Sequence, residues 1–154
     1  MFASALNNNI ASLFDTQWCG VTPLADANQW LRNAQRKITE LKQLPENWDS
    51  YGSRTIQQAA IEQAGNLLAR LSKLDLPRPQ IFPVPGGGIQ FEFRQDRREL
   101  ELEILPDGSI EFLIVINSSE MREGAIPSGS LGEIYRLAYW LQGKQVAAYQ
   151  FESA

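Results

Sequence analysis

The chain is expected to fold as a single α+β domain over residues 1–154: a helical hairpin packed on a three- to four-stranded antiparallel meander, plus a C-terminal helix. Three observations lead there. Apolar and polar residues alternate between Ile89 and Ile116, the period of half-buried antiparallel strands. Apolar residues recur at helical spacing in three other stretches. A length of 154 residues, 44% hydrophobic and 21% charged, suits one self-sufficient core, and no repeat or linker divides it.

Residues 1–22 mix Leu6, Ile10, Leu13, Phe14 and Trp18 with Asn7-Asn8-Asn9, and read as a loosely defined arm docked on the body. Asp26 offers an N-cap to a helix reaching about Gln43, with Trp30, Ala34, Ile38 and Leu41 as its apolar stripe and Pro45 as its stop. Thr55 and Gln58 have the spacing of a capping box opening a second helix. Its stripe is Ala60, Ala64, Leu67, Leu68 and Leu71, and Pro77 and Pro79 close it.

Gln80 to Val84 reads as an edge strand, because Pro83 lacks a ladder donor. Gly86-Gly87-Gly88 turns into a strand where Ile89, Phe91 and Phe93 alternate with Gln90, Glu92 and Arg94. Gln95 to Arg98 turns into the next, where Leu100, Leu102 and Ile104 alternate with Glu99, Glu101 and Glu103. Pro106-Asp107-Gly108 suits a three-residue hairpin loop with Gly108 left-handed. That loop sets Ile104 against Ile110, Leu102 against Phe112 and Glu103 against Glu111. The preceding turn sets Glu92 against Glu101 and Arg94 against Glu99. A polar loop of about ten residues is expected after Asn117. Ser130 and Glu133 then offer another capping box, for a helix from about Leu131 to Gln142. Ile134, Leu137, Ala138 and Leu141 line one face of it. Tyr135, Tyr139 and Trp140 make it apolar nearly all round, as in a buried helix or half of an interface. The tail from Gln145 to Phe151 extends this helix or adds a strand.

Charge narrows the function. Residues 80–116 carry seven acids against three arginines, a net −4 equal to that of the whole chain, so the excess negative charge sits on the sheet. Such a surface repels phosphate backbones, which disfavours nucleic acid, and attracts a basic partner or a divalent cation. The chain has no histidine, which excludes Ser–His–Asp and Cys–His systems and the best proton carrier at neutral pH. With a single cysteine, Cys19, a structural zinc site is also out of reach. No disulfide can form within the chain, no apolar run reaches membrane length, and no basic residue precedes Arg32 as a secretory signal would require. A cytoplasmic protein without cofactor is the expectation.

Four features are candidates for function. The first is the acidic sheet face of Glu92, Glu101, Glu103 and Glu111. Like charges directly opposite across strands are destabilising. A solvated face relieved by Arg94, Arg97 and Arg98, a surface for a basic partner, and a Mg²⁺ or Ca²⁺ site are the readings open to it. The second is the inter-helix loop around Trp48, Asp49 and Tyr51, either a corner pinned by its two aromatics or a recognition loop. The third is the glycine run, which leads into a strand without the Lys-Ser/Thr of a phosphate loop and so reads as a plain turn. The fourth is Cys19, which has no basic neighbour to activate its thiol.

Asn47-Trp48-Asp49-Ser50-Tyr51-Gly52, Gly87-Gly88-Ile89-Gln90-Phe91-Glu92 and Leu100-Glu101-Leu102-Glu103 together give a resemblance covering about residues 40 to 116. The chain resembles a scattered family of small, mostly uncharacterised bacterial proteins with an N-W-D-x-Y-G turn and a G-G-x-Q-x-E strand. The resemblance implies a bacterial, cytoplasmic protein in the company of mobile or defence-related genes. It brings no activity and no catalytic residues.

The functional expectation is a non-enzymatic protein-binding module, of antitoxin, immunity or regulatory type, presenting the acidic face to a basic protein. Its rivals are a metal-dependent hydrolase or nuclease built on Glu92, Glu101, Glu103 and Asp49, and a homo-oligomeric structural or accessory protein joined through Tyr135, Tyr139 and Trp140.

Overall fold

A computed structural model describes residues 24–144, with two helices, five strands and a further helix in chain order. Helices α1 (Leu24–Lys42) and α2 (Gln58–Leu71) form the hairpin; β1 (Gln80–Val84), β2 (Gly88–Gln95), β3 (Arg98–Ile104), β4 (Ile110–Ile116) and β5 (Glu120–Ile126) follow, then α3 (Leu131–Leu141). The strands form one antiparallel meander in the order β1-β2-β3-β4-β5. The class is α+β. The arm over residues 1–22, with Cys19, and the tail over residues 145–154 lie outside the described residues. Among the described residues no helix is long and apolar enough to cross a membrane.

Across the central strands the inner face of the sheet is apolar and covered. Ile89, Phe91, Phe93, Leu100, Leu102 and Ile104 have almost no exposure, and they join one cluster with Ile38 and Leu41 of α1, Leu67, Leu68 and Leu71 of α2, and Leu137 and Leu141 of α3. Helix α2 packs on β2 and β3, α1 on β1 and α2, and α3 on β3. Both stripes expected of the hairpin face this cluster. Trp140 also turns inward at 8% exposure, with the Arg98 guanidinium 5.8 Å from its ring centroid, so of the three aromatics on α3 only Tyr135 and Tyr139 reach the outside.

Register agrees with the turn chemistry. Leu105 N–H donates to the Ser109 carbonyl at 2.8 Å, Gly108 is left-handed at φ 86°, and Ile104, Leu102 and Glu103 pair with Ile110, Phe112 and Glu111. Glu92 pairs with Glu101, and Arg94 with Glu99. Strand β1 lies at the edge, as Pro83 requires.

The sheet departs from expectation in having five strands. The segment read as a loop after Asn117 holds β5, whose inner-facing positions carry no alternating apolar signal. By register those positions are Ile126, Gly124, Arg122 and Glu120, opposite Ile110, Phe112, Ile114 and Ile116. The Phe112 ring fills the place of a side chain at Gly124, where a Cβ would stand 2.9 Å from it. The turn into β5 uses Asn117 and Ser118 at φ 52° and 60°, without the glycine that usually marks such a turn.

The helix starts differ too. Helix α1 begins at Leu24, so Asp26 lies within its first turn instead of preceding it as the N-cap. Helix α2 begins at Gln58, and no Thr55–Gln58 box forms. The chain before it is extended and tied elsewhere: Gln57 N–H donates to the Gly87 carbonyl at 2.9 Å, and Gln57 Nε2 to the Thr55 carbonyl. Ser130 does stand at the N-cap of α3, but its side chain makes no capping bond, and Glu133 pairs with Arg136 at 2.6 Å.

The glycine run is therefore a docking point for α2. Gly87 is at φ 104°, and a Cβ there would stand 2.7 Å from the Thr55 carbonyl oxygen. Gly87→Ala is expected to lose about 1–3 kcal/mol in urea unfolding. Gly65→Ala, on the exposed side of α2 with nothing within 4 Å, is expected to gain roughly 0.5–1 kcal/mol. Equal effects at the two positions would contradict this placement of the turn.

Candidate functional site

Burying the inner face obliges the alternate residues to share the outer one. Read across the sheet, one row is Phe82, Gln90, Glu103, Glu111 and Ala125; the next is Gln80, Glu92, Glu101, Leu113 and Glu123; the third runs Arg94, Glu99, Val115 and Met121. Six carboxylates thus occupy one face: Glu92, Glu99, Glu101, Glu103, Glu111 and Glu123. Arg94 is the single cation among the strand positions there, 3.6 Å from Glu99. The four glutamates expected to cluster do so.

At the centre of this face Gln90 Nε2 donates to Glu92 Oε1 at 3.0 Å and to Glu101 Oε2 at 3.1 Å. One amide thereby bridges a like-charge pair. The relief is partial. Partial burial, then Glu92 and Glu99 beside it, push the Glu101 carboxyl above the usual glutamate range, against a smaller opposing pull from Arg94. Glu92, Glu101, Glu103, Glu111 and Glu123 have no ion-pair partner within 4 Å among the described residues.

The face also has an apolar corner that the sequence reading missed. Leu113 and Val115 lie on it half-buried, and Met121 beside them is 71% exposed. Their positions were hidden because Phe112 to Ile116 is apolar on both faces, so alternation vanishes there. Glu123 is hidden in the sequence along with β5. Between β3, β4 and β5 the surface sinks into a depression of about 380 Å³ with Leu113 and Ala125 in its lining and Glu101, Glu103, Glu111 and Glu123 around them. Among the described residues no group of three or more His, Cys, Asp or Glu side chains is placed to hold a metal ion.

The inter-helix loop is built otherwise. Asp49 is consumed by its own turn: Oδ2 accepts from the Ser53 hydroxyl at 2.6 Å, and Oδ1 from the N–H groups of Tyr51 and Ser53. Asn47 Oδ1 accepts from Gly52 N–H at 2.7 Å, and Trp48 Nε1 donates to the Arg54 carbonyl. These bonds hold Asn47 and Ser50 in left-handed conformations. Tyr51 does not pin the loop; it is 93% exposed, because the turn directs its side chain away from the body. The loop is a self-bonded corner that stands well apart in sequence from the acidic strands, and it carries one projecting aromatic.

Two outcomes follow from these electrostatics. Glu101 has a raised value in the fold, so its charge opposes folding at neutral pH and ceases to as pH falls through that value. Glu101→Gln is expected to stabilise the protein at neutral pH by about 0.5 kcal/mol, raising Tm by roughly 1–2 °C, with the gain vanishing in acid. Destabilisation at neutral pH would contradict the assignment. For Asp49 the sign reverses. The Ser53 hydroxyl and the Tyr51 N–H hold its carboxyl below the usual aspartate range, so the loop's support is present above that range and lost as pH falls through the lowered value. Amide-exchange protection at Tyr51 and Ser53 is expected to follow that titration in the native chain and to lose it in Asp49→Asn.

Comparisons of the chain with protein-family models, with curated proteins and with solved structures found no match, which leaves its own geometry as the guide to function.

Proposed function

We propose that the chain is a non-enzymatic protein-binding module, of antitoxin, immunity or regulatory type, that presents the outer sheet face to a basic protein. One observation carries the reading: six carboxylates share that face with Arg94 as the single strand cation. A solvated surface needs polar residues at these positions, but not acids paired against acids. Complementary charge across an interface speeds encounter and rejects wrong partners. A basic partner would also remove the repulsion around Glu101. A cytoplasmic, bacterial setting belongs to the same proposal, resting on the single cysteine and on the resemblance of the Trp48 turn and the Gln90 strand.

The metal-dependent hydrolase reading needs carboxylates converging on one ion, and the strand glutamates, spread over β2 to β5, form no such group among the described residues. The oligomer reading keeps Tyr135 and Tyr139 but loses Trp140 to the core.

The test is a double reversal, Glu101→Lys with Glu103→Lys, in a pull-down from the native host. A basic partner held by the unmodified chain is expected to weaken about tenfold or more, and the unmodified complex to weaken with added salt. An unchanged partner list would defeat the proposal.

A further inference from the structure

The outer face is acidic at its centre and apolar at one corner, and the two regions adjoin. Glu103 and Glu111 lie in one row, Glu101, Leu113 and Glu123 in the next, Val115 and Met121 in the third. Successive rows are separated by two residues of strand, about 7 Å. The depression between β3, β4 and β5 has an apolar lining in Leu113 and Ala125 and carboxylates around it. That mixture of apolar and acidic lining suits a side chain with an aliphatic stem and a cationic head, as in arginine or lysine. One row away, Met121 exposes 71% of its surface beside half-buried Val115, an apolar area with no cover among the described residues.

Resting on the proposed function, the geometry points to a partner segment that is amphipathic rather than merely basic: an extended stretch placing an arginine or lysine in the depression and an apolar residue, two positions along, on Met121 and Val115. Charge complementarity selects the basic member. The row spacing selects the interval, because an extended partner repeats its side chains on one face at the same distance as the sheet beneath it. A polybasic tail would satisfy the glutamates and leave Met121 in water. Paired recognition makes the apolar residue the source of specificity and the charges the source of steering.

The test uses two synthetic peptides of equal length and equal arginine content. One repeats arginine and leucine two residues apart with serine between; in the other every leucine is serine. Fluorescence titration at physiological salt against the full chain is expected to show the leucine peptide binding about tenfold more tightly. Met121→Ser with Val115→Thr, one exposed and one isosteric, is expected to abolish that preference while leaving the serine peptide's affinity unchanged. Glu103→Gln with Glu111→Gln is expected to weaken both peptides. Equal affinity for the two peptides in the unmodified chain would overturn this inference and leave the acidic-face reading standing. Binding of neither, or binding indifferent to the glutamate changes, would overturn both.

Discussion

Burial of one side of the meander under helices governs where every other side chain of the sheet can go. Ile89, Phe91, Phe93, Leu100, Leu102 and Ile104 are almost wholly buried, and each stabilises the fold by roughly 1.5–3 kcal/mol. A like-charge pair on the outer face opposes folding by some tenths of a kcal/mol. The inner face therefore wins, and the outer face accepts whatever neighbours that register imposes. A slip of one residue would drive Glu99, Glu101 and Glu103 into the core, so register is strongly specified. Glu92 against Glu101 and Glu103 against Glu111 are consequences of packing on the opposite side.

Packing explains why those positions meet, but not why they are glutamates. Any polar residue would satisfy the solvent side of a strand, and threonine or a mixed-charge pair would stabilise it better. The chain instead keeps six carboxylates there and softens the densest contact with a single amide from Gln90. The inter-helix corner shows the opposite design. There Asp49 meets three donors within its own turn and its charge is fully used by the fold. Set side by side, Asp49 acts as a structural acid, whereas Glu101 has its ionisation discouraged and lacks a countercharge within ion-pair distance among the described residues.

Most of this arrangement is legible in the sequence. Strands β1 to β4 and their pairing can be read because alternation is strict from Ile89 to Ile104 and because Pro83 and Pro106-Asp107-Gly108 mark edge and turn. Strand β5 cannot, since its pattern is completed by its neighbour: the Phe112 ring covers Gly124, and Asn117 and Ser118 make the turn without glycine. Leu113 and Val115 are concealed in a run where both faces are apolar. The capping box at Thr55 fails because a tertiary bond, Gln57 to Gly87, sets the start of α2. The side-chain destinations of Trp140 and Tyr51 depend on contacts or turn geometry that helical periodicity and loop composition do not encode.

Carboxyl footprinting reads out which acids of the sheet a bound basic peptide covers. The full chain is labelled with a carbodiimide and a small amine, alone and with the arginine–leucine peptide, and modification is read residue by residue. Protection is expected at Glu101, Glu103 and Glu111, with Glu40 on α1 and Asp75 after α2 labelled equally in both states. Protection spread evenly over all carboxylates, or confined to residues off the sheet, would contradict a docking role for this face.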